Sequence, residues 1–235
     1  MISFVVPAHN EAALLPATLR AIRAAAAEPY EIVVVDDAST DETGRVAESE
    51  GARVVSVELR QIAAVRNAGA CAARGEYLFF VDADTVVNAA VVGEALRALR
   101  SGAVAGGAPF RFEGELPLWV RVVEPFFLAY QRAARLAAGC FLFCRRDTFD
   151  KVGGFDPSLF AGEEIMLSQA LQREGLFVVL REHVLTSGRK LRAHAGREHL
   201  EVAVRYFLHG RKTIESRHGL GLWYDKRRPD PGKAA

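Results

Sequence analysis

Cysteine is scarce. Cys71, Cys140 and Cys144 are odd in number, and no Cys-x-x-Cys or Cys/His spacing joins them. A disulfide framework and a zinc site of usual spacing are excluded, and the three read as reduced core residues of a cytosolic protein. Long hydrophobic runs are also missing: no stretch of about 20 apolar residues is free of charge, so no transmembrane helix is expected. The opening "MISFVVPAHNEAAL" carries no basic residue ahead of its apolar stretch, which argues against a secretion signal. Neither sign of charge dominates. The 30 Lys and Arg against 29 Asp and Glu leave a net charge of +1, without the basic excess of a nucleic-acid binder. No Gly-x-Gly-x-x-Gly follows the first apolar run, where "PAHNEAAL" stands instead, so the dinucleotide-binding variant of an α/β fold is excluded. Half of the 235 residues are hydrophobic, and a chain of this length easily buries a substantial core.

What is present is a regular alternation. Strands are predicted at "ISFVVP", "EIVVV", "RVVSVE" and "YLFFV". Between them, "EAALLPATLRAIRAAAA", "STDETGRVAESE" and "QIAAVRNAGACAAR" have helical character. Alternation of this kind implies βαβ units and a mainly parallel sheet. After residue 100 the rhythm changes. "AVAGGAPFRF" reads as a strand crossed by glycines, "LPLWVRVVEPFFLAYQRAARLAAG" as a helix interrupted at Pro125, and "CFLFCR" as a short strand. The glycine-rich loop "KVGGFDPSLFAGEE" runs into the helix "EEIMLSQALQREG", followed by strands "LFVVL" and "HVLTS". From Gly188 the chain is basic and then helical, ending in the charged tail "YDKRRPDPGKAA", for which disorder is expected.

Ligands of such sheets bind beyond the carboxyl ends of the strands. Three of the first four strands end there in polar groups: Pro7-Ala8-His9-Asn10-Glu11, Asp36-Asp37 and Asp82-Ala83-Asp84. In "FFVDADTVV", Asp82 and Asp84 point the same way if the strand geometry persists, and two like charges side by side call for a counterion. Capping of the next turn or pairing with an Arg would meet that need. A hard divalent cation such as Mg²⁺ or Mn²⁺, completed by water and substrate phosphates, meets it as well. The same nonapeptide fits the start of a haloacid-dehalogenase phosphatase, but that chemistry uses the first strand of its core, and here three strands precede it. "VVVDDAST" fits a response-regulator receiver poorly, since no suitable Lys follows "VDAD".

Four stretches in order, "SFVVPAHNEAALLPATL", "EIVVVDDASTDET", "AAVRNAGACAARGEYLFFVDADT" and "GGFDPSLFAGEEIML", resemble family 2 inverting glycosyltransferases of GT-A fold. The resemblance implies an α/β fold with a mixed, mostly parallel sheet and helices on both faces. It divides the chain into a catalytic domain over 1–187 and a basic, helical extension over 188–235. Residues 1–100 form the nucleotide-binding half of the catalytic domain and 101–187 the acceptor-binding half. It implies metal-dependent transfer of a sugar from a nucleotide-diphosphate donor, UDP-sugars favoured, to an acceptor hydroxyl by single displacement. Pro7, Ala8, His9 and Glu11 would line the nucleotide pocket, Asp37 would read the base, and Asp36 would anchor its turn, with Asn10 available to cap a helix. Arg66, with Asn67 and Gly69, would approach base and phosphates. Asp84 would bind Mn²⁺ or Mg²⁺ directly, and Asp82 the ribose or a metal-bound water. Glu164 would be the base that deprotonates the acceptor, with Glu163 on sugar hydroxyls. Adjacent acids at a helix start also favour the helix dipole, and mutual repulsion should lift one pKa. Gly139 would begin an acceptor-side segment, and Gly153-Gly154 would leave room near the donor sugar.

The pattern of long processive members, Gln-x-x-Arg-Trp followed by membrane helices, is lacking. In its place stands "TSGRKLRAHAGR", whose Arg189, Lys190, Arg192, His194 and Arg197 form either a solvated basic face or a segment closing over the diphosphate, with His194 as a third metal ligand. Residues 116–138 suit packing over an acceptor cleft, a homo-oligomer contact or peripheral membrane contact. The acceptor, a glycan or a lipid-linked molecule, stays open, and so does the rival reading of an inactive nucleotide-sugar binder. A nucleotidyltransferase is disfavoured because the glycine-rich N-terminal loop with Arg and Lys is lacking.

Overall fold

The computed structural model describes residues 1–198, 201, 204, 205, 210–217, 220 and 221. The predicted tail 224–235 and part of the predicted C-terminal helix lie outside them.

The first four strands are β1 (Ile2–Ala8), β2 (Tyr30–Asp37), β3 (Arg53–Val57) and β4 (Tyr77–Val81). They alternate with α1 (Leu15–Ala25), α2 (Thr43–Ser49) and α3 (Ile62–Ala72) as the periodicity predicts. Residues 85–100, which carry no predicted element, form β5 (Thr85–Val86) and α4 (Ala89–Arg100), with Asn88 as N-cap accepting from Val91 N at 2.9 Å. The predicted single strand over 103–112 is two, β6 (Ala103–Gly107) and β7 (Phe110–Glu113), in different sheets. Pro109 between them has no N–H to continue a ladder. Gly106 and Gly107 admit close packing: a Cβ there would stand 2.2 Å from the Val178 carbonyl oxygen and 2.7 Å from Ala137.

Next come α5 (Leu118–Ala134), β8 (Phe141–Arg145), α6 (Arg146–Lys151), α7 (Glu163–Glu174), β9 (Leu176–Val179), β10 (Val184–Ser187) and α8 (Arg189–Ala193). Contrary to expectation α5 runs through Pro125 without a break. Both Pro125 and Arg121 are exposed, so water can take up the carbonyl that loses its helical bond.

The main sheet has the order β3-β2-β1-β4-β8-β6-β9, and β5-β10-β7 form a small second sheet. Only β8 runs against its main-sheet neighbours. Period-two alternation splits the core between the two faces of the main sheet. Phe4, Val6, Phe79 and Phe141 pack with Leu15, Leu19 and Ile22 of α1 and Val91, Ala95 and Leu99 of α4. Val5, Val33, Val35, Phe80 and Leu142 pack with α3, α6 and α7 on the other. Of the cysteines only Cys144 is a core residue. Cys140 is half-buried, and Cys71 is exposed because it falls on the outer face of α3.

Candidate active site

From β1 the chain first builds outward through β2 to β3, then crosses to β4 on the other side of β1. This reversal is where a crevice opens at the carboxyl edge of an open sheet. The β1–β4 ladder stops at Val5–Phe80, two residues before Pro7, so the strands separate at that edge. Pro7 and Ala8 are buried as the floor.

On the β1–β2 side the Asp37 side chain is buried and Oδ1 accepts from the backbone N–H groups of Leu59 (2.7 Å) and Arg60 (3.0 Å). The Asp37 carbonyl accepts from His9 Nδ1 at 2.8 Å, which leaves His9 Nε2 as the acceptor for Arg60 Nη1 at 3.0 Å. Asp36 anchors its turn, with Oδ1 on Ser39 N at 3.2 Å. Asn10 does not cap α1, whose N-cap is Leu14. At φ 53° it turns its Oδ1 to Thr40 N (2.7 Å) and Asp41 N (3.3 Å), tying the end of β1 to the loop after β2.

Arg66 organises the other side. Its side chain, from α3, is almost wholly buried, with Nη2 on Asp82 Oδ1 (2.9 Å) and on the Gly139 carbonyl (2.8 Å), and Nη1 on Glu163 Oε1 (2.5 Å). The guanidinium lies over the Phe155 ring, 5.3 Å from its centre. Instead of reaching into open cleft, Arg66 joins the end of β4, the segment before β8 and the start of α7. Asn67 and Gly69 serve the scaffold. Asn67 clamps both backbone groups of Phe155, at 2.8 and 2.9 Å. A Cβ on Gly69 would stand 2.3 Å from Val5, so its absence lets α3 lie on the sheet. Gly153 and Gly154 have φ of 82° and 74°, the left-handed turn that glycine permits.

Glu163 and Glu164 open α7 after Gly162. The Arg66 pair engages Glu163. Burial, and then the charge of Glu163, push the Glu164 carboxyl up to about 8 against the pull of Arg66. The helix N-terminus would lower it by less than about one pK unit, so desolvation and the neighbouring charge win. The space before Glu164 is kept by Gly139, where a Cβ would lie 3.6 Å from both the Glu164 carboxyl and Arg66 Nη2.

Burial raises the Asp84 carboxyl to about 6; Lys190 opposes this, Glu11 and Asp82 add to it, and Arg189 opposes it. Arg189, at the start of α8, pairs with Glu11 Oε1 and reaches Asp84 Oδ2 at 3.3 Å. Asp82 and Asp84 thus present carboxylates crowded enough to gain from a cation. A two-carboxylate set suits an ion that keeps waters and takes diphosphate oxygens. Among the described residues no three His, Cys, Asp or Glu gather to hold a metal. His194 does not join the acidic pair; its Nδ1 pairs with Glu198 Oε2 at 3.1 Å, one turn on.

Some contacts had no local signal. The segment 210–217 returns over the site: Phe160 N donates to the Ile214 carbonyl at 2.6 Å, and Arg217 donates to the Arg60 carbonyl and lies over Phe160. Gln61 caps α3 through Ala64 N and donates to the Leu159 carbonyl. These partners are 157 and 98 residues apart for Arg217 and Gln61 respectively, beyond any periodicity.

The sequence profile described as Glycosyl transferase family 2 matches residues 3–155. An undecaprenyl-phosphate 4-deoxy-4-formamido-L-arabinose transferase of Pseudomonas aeruginosa is 40% identical over 95 residues, which is 36% of this chain and 28% of that protein. The chain therefore matches well under half the length of this curated relative. Glycosyltransferase GlyG of Streptococcus pneumoniae is 34% identical over 94 residues, 37% of this chain and 31% of that protein. Among solved structures, a mannosyltransferase from Pyrobaculum calidifontis in complex with GDP-Man and Mn²⁺ superposes with a TM-score of 0.70 at 18% identity, covering 98% of this chain and 66% of that one. Glucosyl-3-phosphoglycerate synthase from Mycobacterium tuberculosis, with Mn²⁺, UDP and glucosyl-3-phosphoglycerate, gives 0.64 at 22% identity, covering 97% and 81%. The fold is shared with both.

Proposed function

The chain belongs to Glycosyl transferase family 2, and from that premise we propose a metal-dependent, inverting transfer of a sugar from a nucleoside-diphosphate donor to an acceptor hydroxyl. One observation carries this reading: a single buried guanidinium, Arg66, joins one acid of each pair, the half-buried Asp82 at the end of β4 and the buried Glu163 at the start of α7. A site for a charged leaving group and a site for a base thereby meet across one cleft. Asp37, His9 and the floor of Pro7 and Ala8 would receive the nucleoside. Asp84, with Asp82, would hold Mn²⁺ or Mg²⁺, and the bound cation supplies neutralisation of the diphosphate as it departs. Arg189 and Lys190, beside Asp84, would face the phosphates, as a segment closing over the donor requires. Glu164 would take the proton from the acceptor oxygen as that oxygen forms its bond to the anomeric carbon, opposite the breaking bond to the diphosphate. Glu163, tied to Arg66, holds the negative charge that keeps Glu164 a strong base.

The solved relatives hold GDP-Man with Mn²⁺, UDP with Mn²⁺ and, in a Staphylococcus aureus TarS structure, UDP-GlcNAc. They support a nucleotide-sugar donor, with UDP the first to try. The undecaprenyl-phosphate transferases among the relatives support a lipid-linked acceptor.

Calorimetric titration with UDP, GDP and dTDP, with and without Mn²⁺, tests the donor site. One nucleotide should bind only with metal, and Asp84→Ala should abolish that binding. Because Asp84 must be ionised to hold a cation, metal affinity should weaken by about tenfold for each pH unit below about 6. Failure of every nucleotide to bind folded protein with Mn²⁺ present would sink the reading. The acceptor side has its own check. Gly139→Val fills the space before Glu164 and should lower transfer by about 10²-fold through misplacement, while nucleotide affinity in calorimetry stays within about twofold of wild type.

A further inference from the structure

Helix α5 is apolar around most of its circumference, yet of its 17 residues only Val120 and Gln131 are buried. Leu118, Val122, Phe126 and Tyr130, every fourth residue, form an exposed stripe, and Val123 and Phe127 form a second beside it. Leu118 and Phe126 each keep 74% of their surface in water. An apolar face this continuous marks an interaction surface. At about 100° per residue, Val120 and Gln131 point together toward the body, where Gln131 donates to the Ala108 carbonyl at 3.2 Å and Phe127 meets the Phe110 ring. Arg121 and Arg132 share a direction on one edge of the outer arc, and both are exposed. The one acid of the helix, Glu124, falls on the inner side and is half-buried.

Charge decides what covers this arc. A second copy docked about a two-fold axis would set the same patch against itself; packed antiparallel it brings the arginine rims together, packed parallel it sets each rim against apolar side chains, and in neither case does a carboxylate on the arc receive them. The segment 224–235 is mostly charged or small, with no Leu, Ile, Val, Phe, Met or Trp in its sequence. An anionic lipid surface supplies both partners, acyl chains for the arc and headgroups for the arginines. No helix among the described residues is long and apolar enough to cross a membrane, so α5 would lie on one. We propose that the outward arc of α5, Leu118 to Tyr130 with Arg121 and Arg132 at its edge, is a docking surface for an anionic bilayer. The position fits the site: α5 passes through Leu136–Ala138 to Gly139, which faces Glu164. A lipid-linked acceptor would therefore be offered from the wall that faces the base on α7, and in this respect the inference rests on the function proposed above.

Co-sedimentation with vesicles of phosphatidylglycerol and phosphatidylcholine tests it, with pure phosphatidylcholine as control. The full chain should pellet with the anionic vesicles, at least about tenfold less with the neutral ones, and less as salt rises. Val122→Asp with Phe126→Asp should lose binding by at least about tenfold; these side chains are already exposed, so the melting temperature should hold. Arg121→Gln with Arg132→Gln is the second variant and should remove the preference for anionic over neutral vesicles. Equal pelleting of wild type and both variants, or none by wild type, overturns the proposal. So does a concentration-dependent dimer, broken by the aspartates, in a protein that ignores vesicles; that outcome assigns the arc to a second copy. Glu164→Gln should bind vesicles like wild type. A failed vesicle experiment leaves nucleotide binding untouched, and a failed nucleotide titration leaves the vesicle result standing.

Discussion

Replacement of Glu164 by glutamine should lower kcat by about 10²–10⁴-fold, the usual contribution of a positioned general base, with nucleotide binding retained. Glutamine keeps the volume and the hydrogen-bonding shape at the start of α7 but cannot take a proton. The pH dependence sharpens the test. With the free carboxyl at about 8, only about a tenth is ionised at neutral pH. In the wild type, kcat/KM should climb with pH and level off above about 8, reporting the Glu163–Glu164 pair as a unit. That limb should vanish in the variant. Stability should move oppositely. A carboxyl whose folded pKa stands above its ordinary 4.5 is ionised in the unfolded chain first, so the folded state loses stability as pH rises from about 4.5 to about 8. Glu164→Gln should remove this loss, melting above wild type at the alkaline end of the window and level with it below about 4.5. A variant that transfers at wild-type rate would show that Glu164 is not the base, and one that melts in parallel with wild type across the window would show that it is not a desolvated acid.

Arg66→Met should be the most destabilising single substitution at the site. Removing one partner of a buried ion pair strands the other, typically by about 3–5 kcal/mol, and here Glu163 and Asp82 are both engaged and the Gly139 carbonyl loses its donor as well. For a chain of this size that lowers Tm on the order of 10 °C. Arg66→Lys should recover little, because one ammonium cannot meet two carboxylates and a carbonyl in the plane the guanidinium fork spans. Arg66→Met combined with Glu163→Gln should be less harmful than the sum of the two single changes, since each removes what the other strands. Thermal melts of the four proteins check this; additive losses would mean that Arg66 and Glu163 do not interact.

The contrast between these two residues marks how far the sequence could be read. Glu164 stands out locally: two acids directly after "GGFDPSLFAG" and at the head of a helix, with repulsion expected to raise one of them. Burial turned out to be the larger cause, and burial is not a local property. Asp82 and Asp84 were equally visible, as charges ending an apolar strand. Arg66 was visible as a residue but misjudged in what it touches, because its partners lie 16, 73 and 97 residues away. His194, read as a metal ligand, pairs with Glu198 instead, a choice made by the one-turn spacing within its own segment.

The amino-acid order by itself determined the alternation of strands and helices, the parallel character of the first four strands and the collection of polar groups at one sheet edge. Those follow from side-chain period and chain connectivity, which are short-range. Tertiary structure alone decided that residues 103–112 split between two sheets, that α5 keeps its apolar arc outside, and that Arg189 settles between Asp84 and Glu11, the latter 178 positions away. Each depends on which surfaces are desolvated together, and desolvation is set by the packed whole.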